Sequence, residues 1–361
     1  MCRSMPGKVF VMAGGGTGGH VIPSLAVARE LGRRGHEVFF VGTERGVESR
    51  MVPAAGFQLE LIRIGGLKRV GMLQRLATLG QLPLTTLRMY NLLRRRKTSA
   101  VFSMGGYAAG PPAIAALIAG KPVVVMEPNA APGFTNRRIG RFVTRALVSF
   151  PETARYFRLG RTEVTGLPVR EEFFNLPPKQ REDLFTVLMT GGSQGSRTLN
   201  RAARESWPLF RNANFPVQFL LQTGQPEFEA LQAAFAASNL HGEVKPFIVD
   251  MPFVFAQADL VVCRAGAGAV AELAAAGKPS VLVPFPFATD DHQLRNAQAF
   301  ESAGAAKLVL DRDLTGAKLF EIVSEMQRNR ESMDRMGEAA RSLAHRGAAG
   351  RAADILEEVA Q

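Results

Sequence analysis

The chain has 361 residues, a net charge of +12, a hydrophobic fraction of 46% and two cysteines. This length predicts two domains, and two cysteines exclude a disulfide framework, so we expect a reducing, cytoplasmic environment. The apolar runs are shorter than the roughly 18 residues of a membrane-spanning helix, and the first is too short for a signal peptide, so we expect neither an integral membrane protein nor a secreted one.

The positive charge is concentrated in the first half of the chain. Residues 1–166 contain 24 Lys and Arg against eight acidic residues, whereas residues 167–361 contain 20 against 24. No acidic residue lies between Glu60 and Glu127, where ten residues are basic. This distribution predicts an anionic partner, which on charge alone could be nucleic acid, a phosphorylated substrate or an anionic membrane surface.

The first half alternates apolar, β-rich runs with helical patterns. Helices are predicted over residues 21–34 and 75–96, the second kinked or broken at Pro83. The predicted strands cover residues 9–13, 37–42, 57–62, 99–104, 122–126, 144–149 and 162–165. Continuous apolar runs are typical of parallel strands covered on both faces, so this half predicts a doubly wound sheet.

A second series of strand and helix patterns follows a predicted domain connection at residues 166–170. Its strands are predicted at residues 184–190, 217–222, 259–263, 280–283 and 306–310, and its helices from Arg197 and near residues 331–345 and 348–359. Each half opens with a strand and a glycine-rich loop. We therefore predict an α/β protein with two Rossmann-like doubly wound domains facing across a cleft: residues 1–166, residues 167–345, and a final helix, 346–361, packing back on the first domain.

The first glycine-rich loop has the sequence GGGTGGH and ends at His20. Between a strand and a helix, such a loop presents backbone N–H groups that suit a phosphate or another anion. It also matches the dinucleotide fingerprint G-x-G-x-x-G, and Glu44 lies just beyond the second strand, so a dehydrogenase stays open as an alternative. His20 would project an imidazole into the ligand crevice; the alternative is a residue that only caps or packs.

Two further loops of the first half follow predicted strand ends. Met104–Tyr107 (MGGY) precedes small residues and could be a simple turn. Glu127, followed by Pro128 and Asn129, could serve as a base or bind sugar hydroxyls, or could be a cap or an ion-pair partner.

The second half carries three comparable segments. GGSQGS, residues 191–196, repeats the glycine-rich loop. Residues 264–272 (RAGAGAVAE) would place a helix N-terminus against a diphosphate, with Glu272 able to accept hydrogen bonds from both ribose hydroxyls; the alternative is close helix packing with a solvated acid. Residues 290–293 (DDHQ) begin another helix, and the simpler interpretation is acid-rich capping.

The basic stretch 68–97 interleaves leucines with lysines and arginines. Such a face can lie in an anionic lipid interface, or its leucines can face the core. RNA is less favoured, because Tyr90 is the one aromatic residue of the stretch that could stack on bases.

In their order and spacing these motifs resemble the bacterial MurG family, the UDP-N-acetylglucosamine:N-acetylmuramyl-(pentapeptide) pyrophosphoryl-undecaprenol N-acetylglucosaminyltransferases. The motifs are GGGTGGH, MGGY, the Glu-Pro-Asn loop, GLPVR, GGSQGS, and R-A-G-A-x-x-x-x-E followed by DDHQ-x-x-NA. The resemblance runs from about residue 8 to about residue 351. It implies a GT-B fold and inverting transfer of GlcNAc from UDP-GlcNAc to the 4-hydroxyl of MurNAc in lipid I (undecaprenyl-pyrophosphoryl-MurNAc-pentapeptide), which gives lipid II for peptidoglycan.

The resemblance also implies residue roles. His20 is the expected base, with Glu127 as a rival or an orienting group. The expected donor-binding residues are Thr17, Gly18, Gly19, Asn129, Arg170, Ser193, Ile248, Ala267, Gly268, Ala269, Val270, Ala271, Glu272 and Gln293. The expected acceptor-binding residues are Gly15, Gly16, Gly105, Gly106 and Tyr107, with the first glycine-rich loop and Tyr107 expected to border the acceptor pyrophosphate. The expected contacts with an anionic membrane surface, at the cytoplasmic face of the inner membrane, are Lys68, Arg69, Leu73, Arg75, Leu76 and Leu79.

The resemblance implies no metal ion, no cofactor and no nucleic acid. Two alternatives stay open: another GT-B enzyme, such as a glycolipid glycosyltransferase or a UDP-GlcNAc 2-epimerase, and a catalytically idle protein that binds a nucleotide sugar or a nucleic acid.

Overall fold

The computed structural model describes residues 7–65, 72–181 and 183–361, without the side chains of residues 72–79. The chain divides into two compact units. The first unit holds residues up to Pro168 together with Gly347–Gln361, and the second holds Val169–Arg346.

The first unit is built on a parallel seven-stranded sheet of order β3-β2-β1-β4-β5-β6-β7. Its strands are β1 (Val9–Gly14), β2 (Glu37–Gly42), β3 (Gln58–Leu61), β4 (Ala100–Gly105), β5 (Val123–Glu127), β6 (Arg145–Val148) and β7 (Thr162–Val164). Its helices before the domain connection are α1 (Gly18–Arg33), α2 (Glu48–Ala54), α3 (Met72–Arg95), α4 (Gly110–Ile118) and α5 (Phe134–Ile139), with a short 3-10 helix at Pro151–Tyr156. Strands β4 and β5 are buried along their whole length because helices cover both faces of the sheet.

The second unit repeats this plan with a parallel six-stranded sheet of order β10-β9-β8-β11-β12-β13. Its strands are β8 (Phe185–Thr190), β9 (Val217–Gln222), β10 (His241–Lys245), β11 (Leu260–Cys263), β12 (Ser280–Leu282) and β13 (Lys307–Leu308). Its helices are α6 (Arg197–Asn212), α7 (Phe228–Ala236), α8 (Met251–Gln257), α9 (Ala267–Ala276), α10 (His292–Ser302), α11 (Gly316–Arg328) and α12 (Arg330–Ser342). Short 3-10 helices lie at Glu171–Phe174, Gln225–Glu227, Thr289–Asp291 and Asp311–Asp313.

In both sheets the strand order reverses direction beside the first strand of the unit. The chain steps outward from β1 to β3 and then returns to place β4 on the other side of β1, and β8 and β11 repeat this arrangement. Open α/β sheets bind ligands at such a switch point, outside the carboxyl ends of the strands. The glycine-rich loops after β1 and β8 lie at these two points.

The last helix, α13 (Ala348–Val359), packs against α1 in the first unit. Arg34 donates to Asp354 at 2.6 Å and to Glu357 at 2.8 Å. Arg351 pairs with Glu163, in β7, at 2.6 Å. The chain thus leaves the second unit after Arg346 and ends as part of the first.

The predicted fold class, two Rossmann-like doubly wound domains, is confirmed by the two sheets. Two local differences have physical reasons. Helix α3 continues through Pro83, so the predicted break is wrong there. Strand β10 was not predicted, because it is a mostly exposed edge strand without an apolar run. Within the described ranges, no helix is both long and apolar enough to cross a bilayer.

Candidate functional site

The first unit brings three of the predicted loops together at one edge of its sheet. Strand β1 pairs with β4, and β4 pairs with β5, so their carboxyl ends are neighbours. A Cβ added to Gly106 would lie 3.3 Å from the carbonyl oxygen of Gly15 and 3.5 Å from Nδ1 of His20. The loops after β1 and β4 are therefore in van der Waals contact, and Gly106 has φ +78°, a conformation that favours glycine.

His20 lies in the first turn of α1, and its ring is partly buried. Its Nδ1 lies 3.2 Å from the carbonyl oxygen of Gly15. A carbonyl oxygen only accepts hydrogen bonds, so Nδ1 carries the proton and the neutral ring has its lone pair on Nε2. The contact thus fixes the tautomer in which Nε2 can take up a proton.

A buried carboxylate that the sequence analysis missed lies beneath the first loop. Glu48, at the start of α2, is 0% exposed. Its Oε2 accepts from the backbone N–H of Gly16 at 2.8 Å, and its Oε1 accepts from the N–H and the hydroxyl of Thr43, both at 2.9 Å. Thr43 Oγ1 in turn lies 3.2 Å from the hydroxyl of Tyr107. The Gly16 N–H is therefore engaged within the protein rather than presented to an anion.

Glu127, the last residue of β5, is 2% exposed, and both of its carboxylate oxygens accept hydrogen bonds. Oε1 accepts from the backbone N–H and the side-chain amide of Asn129, both at 3.1 Å. Oε2 accepts from the N–H of Gly133 at 3.1 Å and from Nδ2 of Asn136 at 3.0 Å. Burial raises the pKa of Glu127 while these four donors oppose the rise. Because every partner donates, the contacts suit the ionised form and organise the loop after β5.

The MGGY loop is fixed against the same group of residues. Gly105 has φ +80°, and a Cβ there would lie 2.9 Å from Nδ2 of Asn136. The hydroxyl of Thr135 donates to the carbonyl of Gly106 at 2.7 Å. The structure thus joins His20, Glu127 and the five predicted acceptor-binding residues in one network of the first unit. Of the donor residues predicted in this unit, Thr17 precedes α1 and is exposed, Gly18 and Gly19 begin that helix, and Asn129 contacts Glu127.

In the second unit, the glycine-rich loop after β8 is held by Gln222, another residue that the sequence analysis missed. The amide nitrogen of Gln222 donates to Thr190 Oγ1 at 3.1 Å and to the carbonyl of Gly192 at 2.9 Å. Its amide oxygen accepts from the N–H of Ile248 at 2.8 Å. One buried amide thus joins two predicted donor-binding segments and leaves Ser193 exposed on the loop.

Helix α9 presents its N-terminus at the carboxyl end of β11. Gly266 precedes the helix, no side chain of the described residues caps it, and its first turn contains no acidic residue. The helix carries the predicted donor-binding residues Ala267, Gly268, Ala269, Val270, Ala271 and Glu272. Glu272 is partly exposed, and burial of its carboxyl raises its pKa to about 7, against the attraction of Arg170. A helix N-terminus of this kind favours an anionic ligand.

The segment before α10 differs from the capping interpretation. Asp290 and Asp291 have φ +54° and +52°, and the Asp291 side chain does not cap α10. Two consecutive aspartates in the left-handed region store backbone strain. Beyond them, Gln293 accepts from the N–H of Phe285 at 2.9 Å, which fixes the orientation of its amide. Asn296 donates to the carbonyl of Ala265 at 3.1 Å, so α10 is tied to the loop before α9.

One Asp-x-Asp sequence, a pattern that can hold a metal, occurs at residues 311–313. Asp311 accepts from Arg264 at 2.5 Å and from the Thr198 hydroxyl at 3.0 Å. Its carboxylate thus organises the protein itself. Across the part of the chain that the structure describes, no group of three or more His, Cys, Asp and Glu side chains could hold a metal ion.

The six predicted membrane contacts lie where the structure does not describe the side chains. Lys68 and Arg69 lie outside the described residues. Leu73, Arg75, Leu76 and Leu79 belong to α3, but their side chains are not described.

Comparison with known proteins identifies the family. The model of the glycosyltransferase family 28 N-terminal domain matches residues 10–148, and that of the C-terminal domain matches residues 186–357. A UDP-N-acetylglucosamine–N-acetylmuramyl-(pentapeptide) pyrophosphoryl-undecaprenol N-acetylglucosamine transferase from Solibacter usitatus is 65% identical over 352 residues, covering 98% of this chain and 96% of that protein. The protein of the same name from Myxococcus xanthus is 41% identical over 356 residues, covering 98% and 93%.

Solved structures agree with this result. The crystal structure of MurG from Acinetobacter baumannii matches with a TM-score of 0.83 and 33% identity, covering 97% of this chain and 99% of that one. The predicted resemblance and the GT-B fold class are therefore confirmed. The chain belongs to glycosyltransferase family 28 and, within it, to the family of UDP-N-acetylglucosamine–N-acetylmuramyl-(pentapeptide) pyrophosphoryl-undecaprenol N-acetylglucosamine transferases.

Proposed function

We propose that this chain transfers GlcNAc from UDP-GlcNAc to the 4-hydroxyl of MurNAc in lipid I, with inversion at the anomeric carbon, and so forms lipid II for peptidoglycan. The observation that carries the mechanism is the contact between His20 Nδ1 and the Gly15 carbonyl, which leaves the lone pair on Nε2. A neutral imidazole in this tautomer can accept the proton of an attacking hydroxyl at a pH near neutrality.

In this mechanism His20 is the general base and Glu127 is a positioning residue. The Glu127 carboxylate already accepts four hydrogen bonds from its own loop and from Asn136. If the Glu127 carboxylate took up a proton, one of its oxygens would carry an O–H group facing one of these donors. The hydrogen bond from that donor would be lost, at a cost in free energy. Glu127 instead keeps Asn129 in place, and Gly15, Gly16, Gly105, Gly106 and Tyr107 border the acceptor.

The second unit supplies the donor-binding groups. The N–H groups at the start of α9 stabilise the negative charge that develops on the leaving UDP, and Glu272 accepts from the ribose hydroxyls. Arg170 and Ile248 flank the uracil, Ser193 contacts the diphosphate, and Gln293 contacts the sugar. That Thr17, Gly18, Gly19 and Asn129 also contact the donor stays a prediction.

The acceptor carries a polyprenyl chain, so the enzyme is expected to bind the cytoplasmic face of the inner membrane as a peripheral protein. The described part of α3 supports this, because Leu84 and Leu87 are 55% and 56% exposed and Arg94 and Arg95 end the same helix. Ile118, at the end of the adjacent α4, is 65% exposed. Exposed apolar side chains on a helix that also carries arginines suit an anionic lipid interface.

The test is incubation of the purified protein with UDP-GlcNAc and a lipid I analogue, followed by identification of the product. A β-1,4-linked GlcNAc–MurNAc lipid is the expected result. Conversion of UDP-GlcNAc without any lipid acceptor would favour the 2-epimerase alternative instead. Tight binding of UDP-GlcNAc without transfer to the analogue would overturn the proposed acceptor.

A further inference from the structure

Glu48 occupies a position that the proposed chemistry has not used. It is fully buried, and its carboxylate accepts from the backbone of the loop after β1 and from Thr43 after β2. A Cβ on Gly15, Gly42 or Gly46 would collide with the Glu48 side chain. The Glu48 side chain therefore fits only because three surrounding positions have no Cβ. An acidic residue exposed to solvent at the start of a helix would not require this.

The carboxylate also sets the direction of a chain of hydrogen bonds. Burial raises the pKa of Glu48, but the donors from Gly16 and Thr43 outweigh it and hold the pKa below its usual value. An ionised carboxylate only accepts, so the Thr43 hydroxyl donates its hydrogen bond to Glu48. The 3.2 Å contact between Thr43 and Tyr107 then requires Tyr107 to donate to Thr43. The phenol oxygen of Tyr107 is left with its lone pairs directed away from Thr43.

Glu48 and Tyr107 also hold the loop after β1 in place. The Gly16 N–H is used by Glu48, and a Cβ on Gly16 would lie 3.4 Å from the Tyr107 ring, so loop and ring are packed together. A buried negative charge behind the loop also disfavours a second negative charge in front of it.

We propose that Glu48 is a positioning residue that holds the loop after β1 and orients the Tyr107 hydroxyl as a hydrogen-bond acceptor. This part of the acceptor site thus takes a hydroxyl or an amide N–H of the sugar or peptide rather than the pyrophosphate. The inference rests on the proposed function, because it assigns a role within the acceptor site.

The test compares the steady-state kinetics of Glu48→Gln, Tyr107→Phe and the double variant with those of the wild type. In either orientation, the glutamine amide leaves the N–H of Gly16 or of Thr43 without an acceptor. We expect a rise in the acceptor KM of roughly tenfold or more for each single variant, an unchanged donor dissociation constant, and no additional loss in the double variant. Val52→Ala, which opens a cavity on the same helix without removing a polar contact, is the matched control for lost stability.

A second variant tests the inference if Glu48→Gln does not fold. Thr43→Val removes the hydroxyl between Glu48 and Tyr107 while keeping the backbone N–H bond, and the same rise in acceptor KM is expected. An acceptor analogue with a monophosphate in place of the pyrophosphate gives a further readout. The ratio of wild-type to Glu48→Gln activity should be the same for both acceptors.

The outcomes separate the two proposals. Failure of the wild type to transfer GlcNAc overturns the proposed function and this inference with it. Transfer by the wild type combined with a wild-type acceptor KM in Glu48→Gln and Thr43→Val, additive losses in the double variant, or a ratio that collapses with the monophosphate acceptor overturns only the role of Glu48.

Discussion

Donor binding is expected to depend on pH through Glu272, whose carboxyl has a pKa of about 7 in the free protein. Only the ionised carboxylate can accept hydrogen bonds from both ribose hydroxyls, so binding of UDP-GlcNAc competes with protonation. At pH 6 about a tenth of the free protein has Glu272 ionised, and each further pH unit costs about 1.4 kcal/mol of binding free energy. Affinity should therefore fall about tenfold from its plateau above pH 8 to pH 6.

Isothermal titration calorimetry measures both the affinity and the protons exchanged. UDP-GlcNAc is the better probe than UDP, because its diphosphate has no ionisation between pH 5 and 8. In two buffers of different ionisation enthalpy, binding should release about 0.9 proton at pH 6 and about 0.5 at pH 7. Glu272→Gln serves as the control: its affinity should be lower at pH 8 and nearly independent of pH. A wild-type affinity that is constant between pH 6 and 8, or an equal slope in Glu272→Gln, would refute this role for Glu272.

Three other perturbations have expected outcomes. Because the pKa of Glu272 is raised, its contribution to stability is present below about pH 4.5 and is lost as the pH rises through 7. Glu272→Gln should therefore increase the free energy of unfolding at pH 8 by at most about 3 kcal/mol, seen as a higher melting temperature, and this gain should shrink towards pH 5. Gly105→Ala places an alanine at a positive φ with its Cβ 2.9 Å from Asn136, so calorimetry should show a loss of about 1–3 kcal/mol of unfolding free energy, together with reduced transfer. In the control Gly110→Ala the added Cβ meets no atom within 4 Å, so the free energy of unfolding should change by less than about 1 kcal/mol. Replacing Leu84 and Leu87 by serine should weaken sedimentation with anionic vesicles by several-fold at unchanged melting temperature, and equal binding by this variant would exclude that face as the membrane contact.

A residue's structural role can be predicted from the sequence when the residues next to it in the chain form a recognisable pattern. The buried parallel strands are continuous apolar runs, so the two sheets follow from the pattern of the chain. His20 could be singled out because it ends a glycine-rich loop at a strand end. Strand β10 gave no such signal, since it is exposed and polar.

Glu48 and Gln222 could not be found by pattern, because their roles arise from segments that meet only in the fold. In sequence Glu48 resembles a solvated acid at the start of a helix, a common and favourable position. Its partner Gly16 lies 32 positions away in the loop after β1. Thr43 lies only five positions before Glu48, and together with the glycines at positions 42 and 46 it is the local indication of a crowded carboxyl. Gln222 likewise contacts residues up to 32 positions away.

The role of His20 can be tested most directly by single-turnover transfer of GlcNAc with His20→Asn. The asparagine amide nitrogen can take the place of Nδ1 and keep the hydrogen bond to the Gly15 carbonyl, but the side chain has no group that accepts a proton. With unchanged affinity for UDP-GlcNAc and an unchanged melting temperature, the transfer rate should fall by about 10²–10⁴. A rate within a few-fold of the wild type would contradict the assignment of His20 as the base.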